Sequence, residues 1–439
     1  MGIDISELVV PFVGALEASV SVLLTIVFGV LSAQFNLLSV KAAKEVSRTC
    51  VRMLLPALLI YKIGSNLHQD TGVRYVPIII WSISYTLLSL GVGALACRVF
   101  KFPSWVKLAV SFNNTTSLPL LLIESLKSTG ILNSIILDGD SSTSAFDRAE
   151  SYFLINAMVS NSLTFALGPR LMRPHDEDED TNEGDGNKDD DDEQAEDGAN
   201  GGMERGTDGI INEETSLLPH RVVRYTNGVE RRGYRRTLKW LDGLPPWLQS
   251  LLNFTHQFVN APLIGAVVGA IIGLTPPLHR LFFSNSSDGG YLNAWLTSSI
   301  KNIGDLFASL QIIVVGVKLS ESLLKMKAGE DSGNVPKISL AFITFTRFVV
   351  WPLISTPLIW ALATKTNLIG DDPMLWFAMM LMPTGPPAMI LVVLTDVIRS
   401  PEPEKMAIAK LLAISYAITP LICFAVVGSL KASEAAIRQ

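Results

Sequence analysis

Apolar and polar positions alternate along this chain on a long wavelength. Runs of mostly apolar residues are separated by short polar connections. A helix rising 1.5 Å per residue needs ~20 apolar residues to cross a ~30 Å hydrocarbon layer, and that template is met ten times. The predicted spans are 8–35, 44–64, 75–97, 105–127 and 150–171, then 255–275, 299–323, 337–360, 373–398 and 409–430. Tyr75 to Cys97 and Leu411 to Leu430 contain no charged residue. The second and seventh spans are weaker: only Met53 to Tyr61 and Leu306 to Val317 are free of charge. Such helices suit the inside of a bundle, with long basic side chains reaching the interface. The first span lacks a basic leader and a small-residue cleavage site, so it reads as an uncleaved anchor.

Residues 172–252 follow another pattern. Asp176 to Asp197 holds 14 acidic residues in 22, and Gly-rich sequence and then a basic patch come after it. Such a segment cannot bury enough apolar surface to offset chain entropy, so it is expected to be disordered. The patch Arg221, Arg224, Arg231, Arg232, Arg235, Arg236 and Lys239 leads into Trp240 and Trp247. It reads either as a segment lying on anionic headgroups or as a plain linker with interfacial tryptophans. The loop divides the chain into a first five-helix half (1–171) and a second (253–439).

Charge makes sense only once it is located. The whole chain carries 35 Lys and Arg against 41 Asp and Glu, a net of −6. The loop alone holds 20 acidic and 10 basic groups, leaving 21 acidic and 25 basic for the rest, a net of +4. With the first terminus outside, 25 of the 35 Lys and Arg residues fall on cytosolic segments and eight on outer ones. The bias predicts both termini non-cytosolic and the loop cytosolic. The sequon Asn285-Ser286-Ser287 then lies outside.

Five spans in each half imply an inverted repeat, because an odd number flips the second copy. The weak spans are the second of each half. The fourth span of each half is interrupted at its middle, by Asn113-Asn114-Thr115-Thr116-Ser117-Leu118-Pro119 and by Pro383-Thr384-Gly385-Pro386-Pro387. Proline removes a donor and clashes with the preceding turn, and in a bilayer the freed carbonyls survive only against protein or a water-filled cavity. Two broken helices crossing at mid-depth would present half-helix N-termini, which hold an anion through amide donors and helix dipoles. The fold class is thus an all-α polytopic membrane protein of ten transmembrane helices, with broken crossover helices 4 and 9. The candidate substrate-binding residues are Asn113, Asn114, Thr115, Thr116, Pro119, Thr384, Pro386 and Pro387.

The run Phe112 to Leu121, the run Pro383 to Met389 and Leu55-Pro56-Ala57 resemble segments of the auxin efflux carrier family. The likeness is to its PIN-LIKES branch and fungal members, and extends over nearly all ten spans but not the loop. The resemblance implies a fold related to bile-acid and sodium–proton transporters. In it, spans 1, 2, 6 and 7 form a scaffold, and spans 3–5 and 8–10 form a moving transport domain. It also implies carboxylate binding by Asn114, from its spacing to Pro119, with Asn113 second. Ile390 departs from the polar residue that plant members often carry, so auxin itself does not follow as the substrate. An endoplasmic reticulum membrane is the location that the resemblance implies.

Charges inside spans are costly and are functional hypotheses by default. Glu124 reads either as a proton or cation site or as an interfacial residue. Arg347, near the centre of the eighth span, needs a partner, with Glu17, Asp305 and Asp396 as candidates, or else attracts the anion. Asp396 fits a coupling role or a helix-end role. The five histidines and three cysteines show no metal-ligand spacing, and neither a nucleotide loop nor a nucleophile–base set occurs. Neither cofactor nor metal nor enzymatic activity is expected. The expected partners are the bilayer and a small organic anion, with a homodimer left open and no nucleic acid. The leading function is transport of amphipathic organic anions, such as indole carboxylates, by elevator-type alternating access. A sodium- or proton-coupled symporter of bile-acid type, or a scaffold acting through its loop, are the alternatives.

Overall fold

The computed structural model describes residues 5–67, 72–137, 139–172, 245, 260–327, 336–366, 368–389, 391 and 402–438. All but two residues of the predicted loop, and Asp396, lie outside these. The first half contains α1 (Ile5–Gln34), α2 (Val40–Thr49), α3 (Leu55–Asn66), α4 (Val76–Phe100), α5 (Trp105–Ser111), α6 (Ser117–Thr129) and α7 (Ser142–Met172). The second contains α8 (Ala261–Leu274), α9 (Pro276–Phe283), α10 (Ser298–Lys327), α11 (Lys337–Phe345), α12 (Trp351–Lys365), α13 (Pro373–Leu381), α14 (Glu402–Ala417) and α15 (Ile422–Ile437). No strand occurs among the described residues; one isolated antiparallel bridge joins Asn113 to Pro387.

Among the described residues five stretches are long and apolar enough to cross a membrane: Val9–Gln34, Val76–Phe100, Asn293–Glu321, Lys337–Lys365 and Thr419–Ile437. Helices α8 and α9, bent by 102° at Thr275, make a sixth if counted as one span. Local chemistry accounts for much of the difference from the ten runs in the sequence. The fourth and ninth runs are broken, into α5 and α6 and after α13. The tenth run is helical from Glu402 but interrupted at Thr419-Pro420-Leu421. The second contains a wide π-type turn, Cys50–Leu54, closed by Leu55 N–H donating to the Cys50 carbonyl. The same device occurs at Thr346–Val350, where Trp351 N–H reaches the Thr346 carbonyl. Both wide turns stand just before a proline, Pro56 and Pro352, where a regular turn would drive the ring into the carbonyl four residues back.

Helix starts follow their caps. Asn260 accepts from Leu263 N–H at 2.9 Å, and Asp372 accepts from Met374 N–H at 3.0 Å. In each case a proline occupies one of the first two helical positions, where its missing donor costs nothing.

Two close helix pairs dominate one side of the bundle. α1 crosses α10 where Gly29 meets Gly316; a Cβ on Gly29 would lie 2.2 Å from the Ile313 carbonyl oxygen. α3 lies along α8, where Gly265 and Gly269 face the backbone of Pro56, Leu59 and Ile60. Backbone-to-backbone approach of this kind replaces the hydrophobic drive that lipid does not supply. α3 also packs on α10. On the other side α4 packs on α5 and α7, α12 on α13 and α15, and α13 on α7 and α15. Contacts of α1 and α10 with α6, and of α3 and α8 with α7, join the two sides.

Candidate functional site

The two interrupted segments meet. Asn114 N–H donates to the Pro386 carbonyl at 2.9 Å, and Ala388 N–H donates to the Phe112 carbonyl at 2.9 Å, with Asn113 opposite Pro387 between them. This is a short antiparallel pairing with prolines on one strand. At Pro387 the missing N–H costs nothing, because the bonds fall on the flanking positions. Pro386 accepts from Asn114 but, lacking an N–H, returns no bond to the Asn114 carbonyl.

The break after α13 frees a run of carbonyls; Leu381 accepts from Thr384 N–H of the same segment, and its neighbours are met by donors from other segments. Trp81 Nε1 donates to Met379 (2.9 Å), Ser355 Oγ to Met380 (2.6 Å) and Arg347 Nη1 to Pro383 (3.0 Å). Asn113 Nδ2 donates to both Met382 (3.0 Å) and Thr384 (3.1 Å). Buried backbone groups in an apolar medium must be satisfied internally, and here side chains do it where a helix does not. Gly385 holds φ of +124°, a left-handed conformation that the chain needs to turn between Thr384 and Pro386.

Asn114 is buried and works locally. Its Oδ1 accepts from Thr116 N–H (3.3 Å) and Thr116 Oγ1 (3.3 Å), closing the turn that starts α6. Its Nδ2 donates to Tyr416 Oη at 2.9 Å. Pro119 sits in the first turn of α6, so it opens a new helix and does not interrupt one. Thr115 and Thr384 are 2% and 3% exposed, against a half-buried Thr116, so most of the polar groups lie inside the bundle.

Several polar atoms at this crossing are buried without a hydrogen-bond partner among the described residues: Asn113 Oδ1, Thr384 Oγ1, and Nε and Nη2 of Arg347. Arg347 is 0% exposed. Glu17 and Asp305, two of its expected partners, are exposed, and the hydrogen bond it makes runs to a backbone carbonyl. The guanidinium thus adds positive charge beside the broken segment without a carboxylate to neutralise it among the described residues. Glu124 is exposed, on α6 beyond the crossing.

At one end of the bundle Asp372 anchors α13. Its Oδ2 accepts from Tyr152 Oη at 2.6 Å and Arg148 Nε at 3.2 Å, while Arg148 also grips Asp140 through two nitrogens at 3.2 and 2.5 Å. The sequence pattern brings the two breaks to attention but not Trp81, Ser355, Tyr416 or Asp372. A polar or aromatic residue inside an apolar run was the one signal they offered.

Apolar helices that cross a bilayer, with two interrupted segments bonded to each other inside, define a membrane transport protein. The comparisons with known proteins agree. A family model described as membrane transport protein matches residues 15–426, and the chain belongs to that family, which includes the auxin efflux carriers and PIN-like proteins. The chain is also similar to an uncharacterized transporter of Schizosaccharomyces pombe, 21% identical over 426 residues, which are 92% of this chain and 91% of the relative.

Proposed function

We propose that the protein moves an amphipathic organic anion, of the indole-carboxylate kind, across a membrane by elevator-type alternating access. One observation carries the reading: the two interrupted segments are bonded to each other and lie beside buried polar atoms that have no hydrogen-bond partner among the described residues. Asn114 offers a neutral amide donor, the start of α6 offers helix N–H groups and Arg347 supplies positive potential, while the Asn113 amide becomes a donor to the anion on leaving the Met382 and Thr384 carbonyls. In this conformation Asn114 Nδ2 is engaged by Tyr416, so an entering carboxylate takes the place of that hydroxyl.

The ten-pass inverted repeat is part of the proposal. α1, α3, α8 and α10 belong to the supporting body, and α4–α7 with α11–α15 form the carrier. The pairing of α1 with α10 and of α3 with α8 supports it, because each crosses a first or second span of one half with the second or first of the other. Both termini on the non-cytosolic side of the endoplasmic reticulum membrane complete the reading, with the acidic loop in the cytosol.

The test is uptake of a labelled indole carboxylate by purified protein in liposomes, with and without Asn113→Ala and Asn114→Ala. Uptake that each substitution lowers at least tenfold supports the site. Uptake unchanged by both substitutions removes it.

A further inference from the structure

Away from the crossing, one lysine lies between two carboxylates. Lys62 on α3 is 8% exposed, and its Nζ stands 2.7 Å from Asp147 Oδ1 and 2.7 Å from Glu150 Oε2, both on α7. The Asp147 side chain is 40% exposed and that of Glu150 is 13% exposed. Asn66 Nδ2 donates to Ser151 Oγ at 3.0 Å, and Ser151 Oγ donates to the Lys62 carbonyl at 3.1 Å. The α3–α7 contact is therefore polar, although both helices are flanked by apolar packing.

The count of charges does not close. Among the described residues one ammonium faces two carboxylates, so the group carries a net −1 when both are ionised. Burying a net charge is expensive, whereas a neutral, hydrogen-bonded set is not. A metal cation would have to occupy the point between the carboxylates, and Lys62 Nζ already holds it. A proton needs no such space. Asp147 keeps water on its exposed face, whereas burial penalises a charge on Glu150.

We propose that Glu150 binds a proton when α7 rests against α3 and releases it when the two part. The proposal rests on the two-body reading above, in which α3 belongs to the support and α7 to the carrier. Protonation leaves a balanced Lys62–Asp147 pair with Glu150 donating or accepting beside it; deprotonation on separation returns the proton to water. The carrier's position and the pH on that side are then linked. Neighbouring charges bear on the same group: Glu124 on α6 adds negative potential at Glu150, and Lys127 follows it on that helix. α10 brings the exposed Lys301 and Asp305, and α9 brings His279 and Arg280. α8 has no titratable residue, and on α7 Arg148 is held by Asp140 and Asp372.

The experiment uses the purified full-length protein in detergent, without substrate, and reads its thermal unfolding midpoint from pH 5.5 to 8.5. A group that holds its proton more tightly folded than unfolded gives stability present at low pH and lost as pH rises. The wild-type midpoint should therefore fall by about 3 °C across the titration. Glu150→Gln, a permanent mimic of the protonated form, should remove that fall, and His279→Gln should keep it. A Glu150→Gln midpoint that falls with pH as wild type does overturns the proposal. So does a wild-type midpoint that follows sodium concentration and ignores pH. Should Glu150→Gln fail to fold, Lys62→Met decides: two carboxylates without the ammonium should move the titration up by about one pH unit or more, and an unmoved titration overturns the proposal. Because no anion is present, the proton site and the transported substrate succeed or fail separately.

Discussion

Asn113 holds Thr384 in place: its side-chain amide donates to the Thr384 carbonyl at 3.1 Å and to the Met382 carbonyl at 3.0 Å. A gap in one span is thus closed by a side chain from the gap in the other. Asn113→Ala leaves two buried carbonyls without a donor and should cost about 1–3 kcal/mol, read as a lower unfolding midpoint. Asn113→Asp, equal in shape but an acceptor facing acceptors, should cost more than Ala. A midpoint for Asn113→Asp at the wild-type value contradicts the bonding described.

Gly385 isolates backbone strain. Its φ is +124°, and a Cβ built there meets no atom within 4 Å. Gly385→Ala therefore creates no clash, and its expected cost of about 1–2 kcal/mol is conformational. Denaturant titration of the variant checks it, with Gly428→Ala, also in open space but with ordinary backbone angles, as the neutral control.

Gly316 tests contact in place of strain. A Cβ there would stand 2.1 Å from the Ile26 carbonyl oxygen and 2.7 Å from Gly29 Cα. Gly316→Ala must push α1 and α10 apart, at about 1–3 kcal/mol. Gly316→Val should abolish recovery of folded protein, measured as the monodisperse fraction on size-exclusion chromatography.

Arg347 separates support from attraction. Arg347→Lys keeps the charge but loses the planar fork, and Arg347→Gln removes the charge and ends two bonds short of the Nη1 that meets the Pro383 carbonyl. If the charge draws in the anion, KM for uptake rises at least tenfold in Arg347→Gln and moves little in Arg347→Lys. A fallen unfolding midpoint with unchanged KM in both shows a brace and no more.

Asp140 gives an acid-side prediction. The hydrogen bond from the Arg148 guanidinium, and its charge, hold the Asp140 carboxyl below its ordinary range. A depressed carboxyl contributes stability above its unfolded value, near 4, and loses it as pH falls through the folded one. Asp140→Asn should lower the midpoint at neutral pH and narrow the gap from wild type below pH 4. A gap that stays constant down to pH 3 contradicts the pairing.

The breaks were legible in the sequence because proline and a run of small polar residues are local signals. What closes them was not. Trp81, Ser355 and Tyr416 reach residues far along the chain, and no spacing announces such a partner. Arg347 reads as buried from its position, yet the expected partner was a carboxylate, and the structure supplies a carbonyl, because a broken helix leaves acceptors that an intact one would not. α7, the fifth predicted span, begins at Ser142, eight residues before the apolar run, because Asp147 and Glu150 both meet the Lys62 ammonium at 2.7 Å and the helix can start among charged residues. The bend between α8 and α9 was not legible: the predicted sixth span stops at 275, and the chain instead turns through 102° at Thr275 and continues as a helix from Pro276.

The donors that close the break after α13 come from Trp81, Asn113, Asn114, Arg347 and Ser355. All lie on α4, between α5 and α6, or around α11 and α12; among the described residues none comes from α1, α3, α8 or α10. The discontinuity thus carries its own solvent with it. Under the proposed elevator motion the carrier would keep every one of these backbone bonds as it moved past α1 and α10, so a stroke need not open any of them to lipid. On that proposal the barrier would lie in the polar ties between carrier and support, such as Lys62 with Asp147 and Glu150.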